Sequence, residues 1–153
     1  MHAAGWVWRD CKPANLLLTP DGRLRPLDFE GACPSDEPDP LFWGTLGFIP
    51  PEWREFSPRA CTSGDMYALG AMLYLLLTGR VPEASDPAAV ESLRRNVPAE
   101  VRALVTRLLS REPDARPRAE EVSRGLRAAL SRDEAGSSVR FSVRGAAEGL
   151  AAS

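Results

Sequence analysis

Long apolar runs, an export signal and paired cysteines are all lacking in this chain of 153 residues. The longest apolar run, residues 68–77, is too short to cross a bilayer. The first eight residues have neither the basic start nor the apolar stretch of a signal peptide. The three cysteines, Cys11, Cys33 and Cys61, lie far apart, which argues against a disulfide framework or a zinc site. We therefore expect reduced thiols and a cytoplasmic protein with no membrane segment.

Net charge is small, and lysine and histidine are also scarce. The formal net charge is −2, so electrostatics provide no case for nucleic acid or an anionic membrane as a partner. Lys12 is the single lysine and His2 the single histidine. We interpret His2 as a solvated terminal residue, not as a ligand. What is present, 44% hydrophobic and 26% charged residues, is typical of one globular domain.

The sequence predicts a β-hairpin followed by helices. Apolar residues 16–19 and 24–27 flank Pro-Asp-Gly-Arg, which is strong turn chemistry. Residues 28–58 are rich in Pro, Gly, Asp and Ser, which indicates a long irregular segment. Residues 65–78 are apolar on nearly every face and are followed by Gly79, so we expect a buried central helix.

Three further helices are predicted over about residues 86–95, 98–110 and 118–132, from caps and apolar spacing. Beyond Asp133 the chain is rich in Gly, Ser and Ala. The expected organisation is thus an α+β, mainly helical domain over residues 1–132 and a flexible tail or linker over residues 133–153.

Asp10, Lys12 and Asn15 form the first group with chemical meaning, in one short loop before the hairpin. Phosphoryl transfer to a hydroxyl needs a carboxylate to take the proton, a cation near the phosphate and oxygen ligands for Mg²⁺. Asp28 follows the hairpin, which would bring it back beside Asn15 to form a magnesium site. The alternatives are a solvated turn for the first group and a loop cap for Asp28.

These segments, residues 8–15 and 27–31, resemble the catalytic loop and the metal-binding loop of eukaryotic-type Ser/Thr protein kinases, in the same order. Four later segments are similar to the end of the activation segment, the start and exit of the central helix, and the late arginine motif of that family: residues 44–52, 63–70, 75–82 and 114–117. The resemblance covers most of the chain and implies the kinase C-lobe fold, with ATP and Mg²⁺ as cofactors and a protein or peptide as substrate.

The resemblance also implies a role for each matching residue. Asp10 would be the catalytic base, Lys12 would steady the γ-phosphate, and Asn15 and Asp28 would hold Mg²⁺. Thr45 would line the acceptor site. Three residues would be structural: Glu52 and Arg116 as a buried ion pair, and Asp65 as an acceptor for the backbone of the catalytic loop.

Two positions depart from the family pattern. Trp8 stands where the family usually has histidine, and Glu30 where it usually has glycine. Glycine tolerates backbone angles that other residues resist, so we expect limited movement of this loop. The Asp-Phe-Glu form also resembles the kinase-like domains of class III and IV lanthionine synthetases, and that possibility stands beside an ordinary bacterial Ser/Thr kinase.

A Gly-x-Gly-x-x-Gly phosphate loop and a strand lysine are missing from the sequence. We therefore expect a C-lobe without its N-lobe, which would need the missing lobe or an upstream segment as a partner and would be inactive in isolation. Two alternatives remain: a pseudokinase or scaffold lobe that binds a partner without catalysis, and a small-molecule phosphotransferase, which Glu30 favours.

Overall fold

Short strands precede the longer helices in a mixed α+β fold. The computed structural model describes residues 1–35, 43–55, 60–82 and 97–136, with the side chains of 54–55 and 133–136 excepted. The described strands are β1 (Trp6–Val7), β2 (Leu16–Leu18), β3 (Leu24–Pro26) and β4 (Cys33–Pro34). The described helices are α1 (Glu52–Glu55), α2 (Thr62–Thr78), α3 (Ala99–Leu108) and α4 (Ala119–Gly136), with 3₁₀ turns at His2–Ala4, Pro13–Asn15 and Pro113–Ala115.

Strands β2 and β3 form the antiparallel hairpin that the turn sequence predicts. Leu18 and Leu24 pair beside the turn, in which Gly22 adopts the left-handed conformation at φ 78°. Beyond the last strand pair, the Leu27 N–H donates to the Asn15 carbonyl at 2.8 Å. The hairpin therefore returns the chain to Asn15 immediately before Asp28.

A second pair of strands, β1 and β4, was not predicted. Trp6 pairs with Pro34 and Val7 with Cys33, in an antiparallel arrangement. Two-residue strands are too short to show alternation, and the partners are separated by the whole hairpin, so the sequence offers no signal for this pairing. The pairing brings residues 33–34 beside residues 6–7, which lie just before the loop that contains Asp10.

Helix α2 corresponds to the predicted central helix and begins three residues earlier, at Thr62. It ends at Thr78, and the following Gly79, with a φ of 74° and an N–H bond to the Leu75 carbonyl, forms the expected C-terminal cap. A Cβ added at Gly70 would lie 2.6 Å from the Leu108 Cβ, which shows how closely α2 and α3 approach. Glycine at this position permits the close crossing.

The principal apolar cluster joins α2, α3 and α4 through Met66, Leu104, Leu108 and Val122. The prediction that α2 is buried on every face is wrong near its C-terminal end, because Leu76 is 61% exposed. None of the described elements covers that side chain.

Helices α3 and α4 lie close to the predicted ranges, although α4 continues to Gly136, four residues past the predicted end. The helix predicted over 86–95 lies outside the described residues, as does the chain after Gly136. Within the segments that the structure describes, no helix is both long and apolar enough to cross a membrane.

Candidate active site

Asp65, in the first turn of α2, anchors the loop between β1 and β2. Its buried carboxylate accepts the Trp8 N–H through Oδ2 at 2.8 Å and the Arg9 N–H through Oδ1 at 2.7 Å. Arg9 has a φ of 72°, a conformation that costs a residue with a side chain about 1–3 kcal/mol. Two charge-assisted hydrogen bonds offset this strain, so Asp65 holds the loop in the conformation that presents Asp10.

The interpretation of His2 as a solvated terminal residue is wrong. Its Nε2 lies 2.8 Å from Asp65 Oδ2, and its side chain is 20% exposed. Asp65 therefore has a side-chain partner besides the two backbone groups. The two residues are 63 positions apart, and no local sequence pattern could have paired them.

The Asp10 carboxylate is the centre of a hydrogen-bonded group. Thr45 Oγ1 donates to Asp10 Oδ1 at 2.8 Å, and Asn15 Nδ2 donates to Oδ2 at 2.9 Å. Lys12 Nζ lies 2.8 Å from Asp10 Oδ2 and donates to Thr45 Oγ1 at 2.8 Å. The structure thus brings together four of the residues that the sequence singled out, including one from a segment 35 positions away.

Asn15 has a second role in this loop. Its Nδ2 also donates to the backbone carbonyl of Asp10 at 2.9 Å, so both amide hydrogens point toward Asp10. The Asn15 amide oxygen is the atom that remains for another partner. The 3₁₀ turn Pro13–Asn15 places this residue directly at the start of β2.

Opposing effects determine the pKa of Asp10. Burial, the largest, raises it, whereas hydrogen bonds from Lys12, Thr45 and Asn15 and the positive charge of Lys12 lower it. The lowering effects together prevail, and the pKa of Asp10 lies below its ordinary value. Asp10 is therefore a carboxylate at neutral pH, able to accept a hydrogen bond from an incoming hydroxyl.

Asp28 lies at the end of the hairpin, next to the backbone of Asn15. Its φ is 56°, and its exposed carboxylate accepts the Glu30 N–H through Oδ1 at 3.2 Å. Its backbone carbonyl accepts the Trp8 Nε1–H at 2.7 Å. In the part of the chain that the structure describes, no group of three or more His, Cys, Asp or Glu side chains could hold a metal ion. A cation here would need Asn15 and further oxygens from phosphate or water.

Glu52 and Arg116 form a bidentate ion pair away from Asp10. Arg116 Nη1 lies 2.6 Å from Glu52 Oε1, and Nη2 lies 2.7 Å from Oε2. Arg116 also donates to the carbonyls of Ser110 and Ser63, and its guanidinium lies 5.1 Å from the Tyr67 ring centroid. The pair ties α1, after the Thr45 segment, to the loop before α4.

A model of the protein kinase domain matches residues 1–125 of the chain. The chain belongs to the protein kinase domain family. The matched region contains the Asp10 group, Asp28, Asp65 and the Glu52–Arg116 pair, so the geometry described above lies inside the kinase domain.

The relatives of this kinase domain include Ser/Thr kinases from bacteria and a kinase from a plant. Serine/threonine-protein kinase PkaA of Streptomyces coelicolor is 38% identical, over 82% of this chain and 26% of the relative. 3-Phosphoinositide-dependent protein kinase 1 of Arabidopsis thaliana is 34% identical over 76% of this chain and 28% of the relative. Serine/threonine-protein kinase PknA of Mycobacterium tuberculosis is 32% identical over 76% of this chain and 30% of the relative. The chain therefore spans between a quarter and a third of the length of these curated relatives.

Proposed function

We propose that this chain is the C-lobe portion of a protein kinase that transfers the γ-phosphate of ATP to a Ser or Thr hydroxyl. The observation that supports this most strongly is the group formed by Asp10, Lys12, Asn15 and Thr45, in which a carboxylate, a cation and a hydroxyl share short contacts. Phosphoryl transfer depends mainly on positioning and charge stabilisation, and this group provides both.

Four residues of the chain have distinct roles in the proposed reaction. Asp10 accepts a hydrogen bond from the substrate hydroxyl, orients it and takes its proton as the new P–O bond forms. At the same time the bond from the γ-phosphorus to the β-phosphate oxygen breaks, and ADP leaves. Lys12 places positive charge beside the transferred group. Thr45 bridges Asp10 and Lys12 and so keeps both aligned. Asp65 preserves the loop geometry on which the other three depend.

Mg²⁺ and ATP fit the oxygen donors of this site. The Asn15 amide oxygen and the exposed Asp28 carboxylate are oxygen ligands of the kind that Mg²⁺ prefers. The bond from the Leu27 N–H to the Asn15 carbonyl brings the backbones of the two segments together. When bound, Mg²⁺ neutralises charge on the phosphates. Asn15 and Asp28 would hold the cation, and the hairpin fixes their backbones relative to each other.

The test of the base uses the longest protein encoded by the reading frame that contains this chain, with ATP, Mg²⁺ and a Ser/Thr peptide library. Asp10→Asn should lower phosphate transfer by roughly 100-fold or more, because general-base catalysis contributes that much. Nucleotide affinity should be unchanged. Asp21→Asn, in the exposed hairpin turn, is the matched control and should transfer phosphate normally. Normal transfer by Asp10→Asn would show that another group is the base.

A partner-binding lobe without catalysis is the second candidate, and one observation favours it. Large apolar side chains on and beside the hairpin are exposed: Leu17, Leu18, Leu24, Leu27 and Phe29. Leu24 and Phe29 line an apolar groove of about 650 Å³, together with Trp8, Leu16 and Leu69. An N-lobe, an upstream segment or another protein could cover this surface. Wild-type protein that transfers no phosphate but binds such a partner would favour this candidate.

The lanthionine synthetase possibility stays a prediction, and the relatives named above are not described by that name. The sequence of the reading frame after Ser153 is the direct test. A cyclase domain there would assign the substrate as a precursor peptide, and its absence would favour an ordinary Ser/Thr kinase.

A further inference from the structure

Gly31 is a buried glycine whose backbone angles do not explain its identity. It is not among the glycines with positive φ, so it lies outside the left-handed region that favours glycine. Space is what excludes a side chain: a Cβ added at Gly31 would lie 2.0 Å from Trp43 Nε1 and 2.3 Å from Trp43 Cδ1. Because non-bonded atoms pack at about 3.5–4.0 Å, the five-membered ring of the indole must lie directly against the Gly31 backbone.

The segment beneath the indole is held on both sides of Gly31. Before it, a turn is closed by the Ala32 N–H, which donates to the Phe29 carbonyl at 3.0 Å. After it, Cys33 pairs with Val7 in the sheet of β1 and β4. The indole of Trp43 therefore rests on a part of the fold with a defined position.

Trp43 also lies near Arg9, the residue before Asp10. The guanidinium carbon of Arg9 is 6.0 Å from the Trp43 ring centroid, at the outer limit of about 6 Å for a cation–π contact. The Arg9 backbone is itself held by Asp65, which accepts its N–H at 2.7 Å. The half-buried indole is thus located by two segments that are distant from it in sequence.

Thr45 follows Trp43 by two residues, so the two Cα atoms are at most about 7 Å apart. The Thr45 hydroxyl donates to Asp10 and accepts from Lys12, each at 2.8 Å. After Thr45, the Phe48 N–H donates to the Thr45 carbonyl at 3.0 Å, and Phe48 packs against an apolar cluster of the core. Trp43 is therefore the anchor before Thr45, and Phe48 is the anchor after it.

We propose that Trp43 is a positioning residue for Thr45: its indole, seated on Gly31, holds the Thr45 hydroxyl in the Asp10 group. This inference rests on the proposed function, in which the Asp10 group carries out phosphate transfer. It assigns Trp43 a role through Thr45, without contact with substrate or cation. It also explains the glycine at position 31, because a larger residue there would displace the indole and with it the segment that carries Thr45.

The first test uses NMR of the whole chain and needs no catalysis. In wild type, nuclear Overhauser effects should connect the Hδ1 and Hε1 protons of the Trp43 indole with the Gly31 Hα protons. Their absence from the folded wild-type chain would overturn the proposal. This measurement decides the contact itself without any substitution.

Amide hydrogen exchange then shows whether the contact supports Thr45. The Phe48 amide is the reporter, because it donates to the Thr45 carbonyl. Trp43→Ala should make this amide exchange about fivefold faster, the change expected for the loss of support worth one hydrogen bond. The Leu109 amide, which donates to the Val105 carbonyl at the end of α3, should exchange at the wild-type rate. Unchanged Phe48 exchange in a folded Trp43→Ala would overturn the proposal.

Gly31→Ala tests the same contact from the other side. With Trp43 present, the new Cβ would displace the indole and should also accelerate Phe48 exchange, whereas in the Trp43→Ala background it should add little. Gly125→Ala is the matched control, because its Cβ would lie 3.6 Å from the nearest side-chain atom, and it should not accelerate exchange. Additive effects of Gly31→Ala and Trp43→Ala would overturn the proposal. Should Trp43→Ala fail to fold, unchanged Phe48 exchange in Gly31→Ala would overturn it.

A kinetic measurement separates this inference from the proposed function. In the longest protein encoded by the reading frame, Trp43→Ala should lower kcat by about tenfold at unchanged KM for ATP, because a misplacement of about 1 Å can cost 100-fold. Thr45→Val removes the hydroxyl, and in its background Trp43→Ala should have little further effect. An equal loss of kcat in both backgrounds would overturn the proposal. Absence of transfer by wild type would overturn the proposed function, and the NMR measurements would still decide whether Trp43 positions Thr45.

Discussion

Removal of Glu52 should destabilise the domain more than removal of any exposed charged residue. The Arg116 side chain is 0% exposed and that of Glu52 is 22% exposed, and two N–H···O contacts of 2.6 and 2.7 Å join them. Glu52→Ala leaves a buried guanidinium without its counter-charge. Breaking a buried pair from one side typically costs about 3–5 kcal/mol.

The lower end of that range applies here. After Glu52→Ala, Arg116 keeps its bonds to the Ser110 and Ser63 carbonyls and its contact with the Tyr67 ring. We therefore expect a loss of about 3 kcal/mol, a large share of a typical total of about 5–15 kcal/mol. With a slope of about 2 kcal/mol per molar urea, the midpoint of unfolding should fall by about 1.5 M.

The assay is urea unfolding followed by far-ultraviolet circular dichroism, for Glu52→Ala, Arg116→Met and the double variant. The double variant should lose less stability than the sum of the single losses, because the pair is already broken in each single variant. Glu121→Ala, which breaks the exposed pair with Arg107, is the control and should hardly shift the midpoint. Additive losses, or a loss under about 1 kcal/mol for Glu52→Ala, would refute the reasoning.

Three further predictions concern packing, thiol reactivity and pH. Gly70→Ala should destabilise the chain by about 1–3 kcal/mol in urea unfolding, because the new Cβ would lie 2.6 Å from an α3 side chain. Gly125→Ala in α4 is the comparison: its new Cβ would lie 3.6 Å from the nearest side-chain atom, and the change should stabilise the chain by about 0.5–1 kcal/mol. Burial first, and neighbouring carboxylates second, raise the pKa of Cys11 to about 12. Iodoacetamide at mildly alkaline pH should therefore label the other two cysteines before Cys11, as measured by mass spectrometry. Equal labelling of all three cysteines would contradict this. Because folding lowers the pKa of Asp10, its ionised carboxylate stabilises the fold at pH values above its ordinary pKa of 3.8. This stabilisation is lost as the pH falls through the lower pKa of the folded state. Acidification from about pH 5 to 3 should therefore destabilise wild type more than Lys12→Met, and identical pH profiles would contradict the ion-pair argument.

The hairpin, the central helix and the loop residues Asp10, Lys12 and Asn15 were predictable from the sequence, each for a local reason. Pro-Asp-Gly specifies a turn wherever it occurs between apolar runs, and an apolar segment followed by glycine specifies a helix and its end. The chemical role of Asp10, Lys12 and Asn15 could be predicted because the three residues lie in one short loop. The similarity to kinases then extended the prediction to Thr45, Glu52 and Arg116 through their order along the chain.

Tertiary structure decided what depends on distant partners. The β1–β4 pair, the contact of His2 with Asp65 and the hydrogen bond from Trp8 to Asp28 join residues that no periodicity connects. The exposure of Leu76 likewise depends on which elements reach the end of α2. Local sequence determines turns, caps and helix faces because those interactions span a few residues, whereas the positive φ of Arg9 and Asp28 is stable only because groups elsewhere in the fold stabilise it.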